Sequence, residues 1–180
     1  MAVGNTFGAT ALSSYGGFWL SFAIILTPGG FAIESGLAAI SEATFLNSFG
    51  LYLMGWFIFT FLLLICTLRS TVAFFSLFFT LDLAFLMLGI GYLHNDGGHP
   101  QEQCIIAGGA FGLMAAFLAW YNALAGIADS SNRSVYCTHV SRTHLLICHS
   151  FFVIPVAHFP WSDKGRERRD KVDNSAHRAA

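Results

Sequence analysis

Asp82 is the residue of this chain best placed by type to do chemistry, because it sits inside the apolar run FFTLDLAFLMLGIG. A carboxylate in the middle of a membrane span costs several kcal/mol and usually faces a bundle interior or an aqueous path. Two roles fit it: a proton site in a transport path, or a structural acid that is neutral or hydrogen-bonded to a neighbouring helix. Asn122 offers a second polar group inside an apolar run, and its amide could bind a carboxylate, cap a helix or bridge two. Cys137, His139, His144, Cys148 and His149 hold enough thiolates and imidazoles for zinc, but their spacing matches no paired C-x-x-C pattern. No metal and no cofactor is expected. A nucleophile elbow, a P-loop, an H-E-x-x-H pair and a dinucleotide fingerprint are all absent, so an enzyme is not expected either.

Composition says what must position these groups. Of the 180 residues, 55% are hydrophobic and 11% charged, against roughly 45–50% and about 25% in soluble domains. Between Ala43 and Leu81 the only formal charge is Arg69. A bilayer core about 30 Å thick takes around 20 apolar residues in a helix, and four stretches meet that length: about 6–27, 49–68, 72–93 and 105–127. The fold expected is all-α, an integral membrane helical bundle over residues 1–130. Residues 131–180 form a tail. The patch Leu145–Phe159 is too short to cross, and its histidines and Pro155 favour an interfacial or protein-packed segment.

Loop charges set the orientation, since Lys and Arg are retained on the cytoplasmic side. Residues 29–48 carry Glu34 and Glu42 with no Lys or Arg, and residues 94–103 carry Asp96 and Glu102 with no Lys or Arg. Arg69 and the tail, with Lys164, Arg166, Arg168, Arg169, Lys171 and Arg178, fall on the other side. Both termini are therefore expected in the cytoplasm, which leaves the N-R-S sequon at Asn132 without a glycan. The tail, mixed in sign and poor in apolar residues, reads as solvated and disordered. A net charge of −1 gives no basic excess for nucleic acid. The four cysteines follow no secretory signal, and a disulfide framework is not expected.

The first span is rich in small residues. Thr6, Thr10, Ser13, Gly17 and Ser21 recur on one narrow stripe, and Gly108, Gly112 and Ala116 do so in the fourth span. Such stripes permit close backbone approach where lipid supplies no hydrophobic drive. The stripe of the first span is a packing face or a wet face. Tyr15 projects nearly opposite it.

Four segments carry a family resemblance: GNTFGATALSSYGGFW, FFTLDLAFLMLGIG, GAFGLMAAFLAWYNALAG and FFVIPVAHFPWS. Together they resemble the third, fifth and sixth spans and the carboxy-terminal signature of the acetate uptake transporter family in its fungal members. The family has six spans and opens on an N-P-A-P-L-G-L type motif that this chain lacks, so the chain resembles an N-terminally truncated member that keeps the last four, or a gene model begun at an internal Met. Residues 134–149 stand where fungal members pass almost directly to the signature, and are expected to be an insertion from a retained intron or a misjudged splice site.

The resemblance implies a function and a path. It implies uptake of acetate and similar short monocarboxylates with a proton, through a pore in each protomer of a homo-hexamer in a fungal plasma membrane. By resemblance Tyr15 and Leu81 contribute to a narrow aromatic and aliphatic constriction, and Ala119 is a small pore-lining position. Asn122 joins them as a substrate-path candidate, and Asp82 is the candidate proton site. A dry ring excludes hydrated ions, and a monocarboxylate passes more easily once protonated. Tyr15 has a plainer reading, a buried aromatic with a bonded hydroxyl. For the whole chain the alternatives are a non-transporting membrane subunit and a tetraspan adaptor acting through its tail.

Overall fold

The structure, a computed structural model, describes residues 6–127, 135–137, 148–150 and 167. It contains helices α1 (Thr6–Leu26), α2 (Ile33–Ala38), α3 (Glu42–Thr67), α4 (Val72–Leu93) and α5 (Glu102–Ile127), then two three-residue strands, β1 (Val135–Cys137) and β2 (Cys148–Ser150). Four of the helices are long and apolar enough to cross a bilayer. α3 and α4 are all but featureless in hydrophobic direction, apolar on every side, as spans in lipid are. The protein is an all-helical membrane protein apart from the β1–β2 ladder, which pairs antiparallel with Cys137 opposite Cys148. Of residues 134–149 only parts of that ladder are described, and of the tail beyond Ser150 only position 167 is.

The ends of the helices follow local chemistry. α1 stops before Pro28, Gly29 and Gly30, and the chain turns there with φ of 85° at Gly29, 58° at Gly30 and 51° at Ala32. Ala32 is the only non-glycine with positive φ among the described residues. Its amide donates to the Gly29 carbonyl at 3.1 Å, and α2 starts from it. α3 begins at Glu42, upstream of the apolar run that opens at Phe49, because an acid in the first turn suits the positive end of the helix dipole. The Ser41 carbonyl accepts the amide of Thr44. α4 is capped by Thr71, whose Oγ1 accepts the Phe74 amide at 3.1 Å.

The chain divides into two compact units: residues 1–63 with 82–111, and residues 64–81 with 112–180. In the first, neighbouring helices run antiparallel, since partners rise in number on one helix as they fall on the next. Tyr15 meets Thr60 and Ser21 meets Tyr52 between α1 and α3. Gly50 abuts Leu93 and Gly89 abuts Met54 between α3 and α4, and Gly91 abuts Ile105 while Gly108 abuts Leu88 between α4 and α5. The core of this unit is aromatic. Phe18, 5% exposed, has the rings of Trp56 and Phe85 edge-on at 5.1 and 5.2 Å and Tyr52 stacked at 5.9 Å. Such pairs add about 0.5–1.5 kcal/mol each beyond the area they bury.

The second unit holds the α3–α4 turn and the C-terminal end of α5. Thr67 is buried and bonds the Leu64 carbonyl at 2.7 Å, and the Ser70 amide reaches the Thr67 carbonyl at 2.9 Å, closing the hairpin around Arg69. Phe74 meets Phe78 edge-on at 5.2 Å, and Phe117 meets Trp120 at 5.5 Å.

Candidate functional site

Tyr15 lies in the middle of α1 and turns its ring toward α3. Its hydroxyl is 3.0 Å from Thr60 Oγ1, and its ring lies 6.0 Å from Trp56 and 6.2 Å from Phe59. Thr60 has no exposed surface. Asp82 lies within electrostatic reach of the Tyr15 hydroxyl. It is buried, and its Oδ1 has no hydrogen-bond partner among the described residues. Thr60 and Asp82 are the buried polar side chains of this unit among the described residues, and Tyr15 lies between the helices with them in reach. A helical carboxyl, a phenol and a threonine so placed can hold, pass or sense a proton and can set the width of a passage, but they contain no activated nucleophile.

Nearly two turns further along α1, Ser21 Oγ and Tyr52 Oη are 2.7 Å apart, and Tyr52 Oη also donates to the Phe18 carbonyl at 3.2 Å. A cavity of about 490 Å³ on this side is lined by Ser14, Leu51, Tyr52, Gly55, Trp56 and Phe59. A larger one, about 670 Å³, lies at the α4–α5 loop among His94, Asp96, His99, Gln101 and Glu102. There the Asp96 carboxylate accepts the amides of His99 at 3.0 Å and Gly98 at 3.4 Å. These bonds hold it below the usual carboxylate range.

The small-residue stripe of α1 divides. Thr6, Thr10, Ser13 and Gly17 are exposed on the outer side, Ser13 bonding the Ala9 carbonyl of its own helix, while Ser21 turns in to Tyr52. In the fourth span Gly108 is buried against Leu88, whereas Ala116 is exposed.

Tyr15 and Asp82 belong to the first unit, and Leu81, Ala119 and Asn122 to the second. Leu81 and Ala119 are half-buried. Asn122 is half-buried too, and its Nδ2 donates to the Leu118 carbonyl at 2.7 Å, a bond within its own helix. Of the cysteine and histidine set, residues 139 and 144 lie outside the described residues. Thr60, Trp56 and Phe59 were not among the residues singled out from sequence. The available signal was Thr60 itself, a hydroxyl within the run WFIFTFLLLI.

Comparison with known proteins gives this geometry its relatives. Acetate permease A of Emericella nidulans is 65% identical over 176 residues, covering 96% of this chain and 53% of that protein. The succinate-acetate/proton symporter SatP of Escherichia coli K12 is 39% identical over 94 residues, 52% of this chain and 46% of that protein. Among solved structures, the bacterial acetate channel SatP superposes with a TM-score of 0.57 at 32% identity, covering 72% of this chain and 65% of that one. The chain spans about half the length of the curated relatives it matches. The family pattern covers residues 1–145, well over half of the sequence, and the chain belongs to the GPR1/FUN34/yaaH family, the acetate uptake transporters.

Proposed function

We propose that this chain carries acetate and similar short monocarboxylates across a membrane together with a proton. The observation that carries the reading is Asp82: a buried carboxyl in the middle of a spanning helix, one oxygen without a hydrogen-bond partner among the described residues, within electrostatic range of the Tyr15 phenol. An acid so placed rearranges the polar contacts around it whenever it takes up or gives up a proton. The chain's likeness to acetate permease A and to the succinate-acetate/proton symporter SatP supports acetate as the substrate, and its likeness to SatP supports the coupling.

In this reading Asp82 is the proton site, Tyr15 and Leu81 narrow the path, Ala119 keeps it open where a larger side chain would block it, and Asn122 lines it. The protein works as a homo-oligomer, a hexamer by family resemblance, in a fungal plasma membrane with both termini and Arg69 in the cytoplasm. Residues 1–130 form the transport body, residues 131–180 a cytoplasmic tail, and residues 134–149 an insertion within it. The lipid bilayer is the solvent, and nucleic acid is not a partner.

The test is uptake of labelled acetate by cells that lack their own acetate carriers and express this chain. Uptake that rises as external pH falls supports the reading. A chain that reaches the membrane and admits no acetate overturns it in favour of a non-transporting subunit or adaptor.

A further inference from the structure

We infer that Thr60 is a positioning residue for Tyr15, fixing the phenol's rotamer and with it the width of the path for short carboxylates. The inference rests on the transport reading above and assigns a role to a residue not otherwise tied to it.

Hydroxyls on these helices ordinarily turn back on their own backbone. Thr67 bonds the Leu64 carbonyl, Thr80 bonds Ser76 and Leu77, and Ser13 bonds Ala9. Helical threonine has that option because one of its two favoured rotamers presents Oγ1 to the preceding turn. Thr60 instead spends its bond on another helix, reaching Tyr15 Oη at 3.0 Å from a position with no exposed surface. Apolar rings surround the pair: Trp56 lies tilted at 31° to the phenol and Phe59 edge-on at 70°. Rings at centroid distances of 6 Å and more confine the phenol's position loosely, whereas a hydrogen bond at its far end fixes its direction.

A role in merely holding α1 to α3 is already served elsewhere. Ser21, Tyr52 and the Phe18 carbonyl form a second polar clasp between the same helices. The rings around Phe18 pack between them as well. Loss of one hydroxyl at position 60 therefore leaves the helices together and frees the phenol to change rotamer. The side chain that is set free is the one whose position governs which acyl chain fits.

The test is the ratio of propionate to acetate uptake in cells expressing the full chain, with membrane abundance measured by a fluorescent tag. Thr60→Val keeps the shape and removes the hydroxyl, Thr60→Ser keeps the hydroxyl, and Tyr15→Phe removes the bond from the other side. Thr60→Val and Tyr15→Phe should each shift the ratio by about two- to tenfold, the range of one neutral hydrogen bond. Thr60→Ser should restore the wild-type ratio, and the double variant should shift no further than either single change. An unchanged ratio in Thr60→Val at normal abundance, or shifts that multiply in the double variant, overturns the inference. If Thr60→Val fails to reach the membrane, Tyr15→Phe decides: an unchanged ratio there overturns it equally. Absence of acetate uptake by the wild-type chain removes the transport reading and this inference with it, whereas uptake with an unmoved ratio removes this inference alone.

Discussion

A Cβ added to Gly108 would lie 2.7 Å from Cγ of Leu88 and 3.1 Å from the Leu88 backbone nitrogen. α5 thus approaches α4 at backbone distance, which in lipid is the main means by which helices gain contact energy. Its neighbour Gly109 has nothing within 4 Å of such a Cβ. Gly108→Ala should therefore cost about 1–3 kcal/mol through overpacking, while Gly109→Ala should be neutral or slightly stabilising through helix propensity. Thermal unfolding of the two purified variants in one detergent checks this, and equal melting temperatures would contradict the close approach.

The polar clasp between Ser21 and Tyr52 should show as a coupling rather than as a large loss. Tyr52→Phe removes bonds to Ser21 and to the Phe18 carbonyl. Interhelical hydrogen bonds of this kind average about 0.6 kcal/mol in membrane proteins. A double-mutant cycle of Ser21→Ala with Tyr52→Phe should return a coupling of that order, and additive losses would mean the two hydroxyls act independently.

Asp82→Asn should preserve size and polarity while removing the titrating proton. The expected result is acetate uptake that no longer follows the proton gradient, with residual entry set by the acetate gradient alone. Uptake measured as external pH is varied is the check. A profile like that of the wild type would place proton coupling elsewhere.

The Asp96 turn gives a pH effect of known sign. Amides of His99 and Gly98 hold the folded carboxylate below the usual range. The order these bonds give the loop is fully present above the ordinary carboxylate value of about 3.9, and it is lost as pH falls through the depressed value. Amide resonances of Gly98 and His99, followed by NMR in lipid nanodiscs, should hold steady down to about that ordinary value and move only below it. In Asp96→Ala they should be displaced already at neutral pH.

Much of the architecture was legible because lipid imposes it. Four apolar runs of spanning length became four helices, and α4 could be bounded closely because Thr71 caps one end and a turn-rich loop follows the other. The start of α3 was harder to place. Glu42, Asn47 and Ser48 carry the helix out past the apolar run, where hydropathy gives no guide. α2 has six residues, too few to show a period.

The site was legible only in part, for a related reason. Asp82 stands out by charge against its surroundings, and its burial follows from the same physics. Thr60 did not stand out as the partner of Tyr15. α3 is apolar on every side, so the sequence marks no inward face, and only the antiparallel pairing with α1 places positions 15 and 60 at one height. The outward placement of Thr6, Thr10 and Ser13 likewise depends on which side of α1 the aromatic cluster claims.

The corner between α1 and α2 narrows what can be written at its positions. Three left-handed backbones at Gly29, Gly30 and Ala32 set a bend whose hand branched side chains oppose. Exchange of Ala32 for glycine or asparagine should be silent or helpful, while valine or isoleucine there would swing the short α2 away from the end of α1. That small bend thereby acts as a filter on which sequences can build the entrance to the membrane on this side.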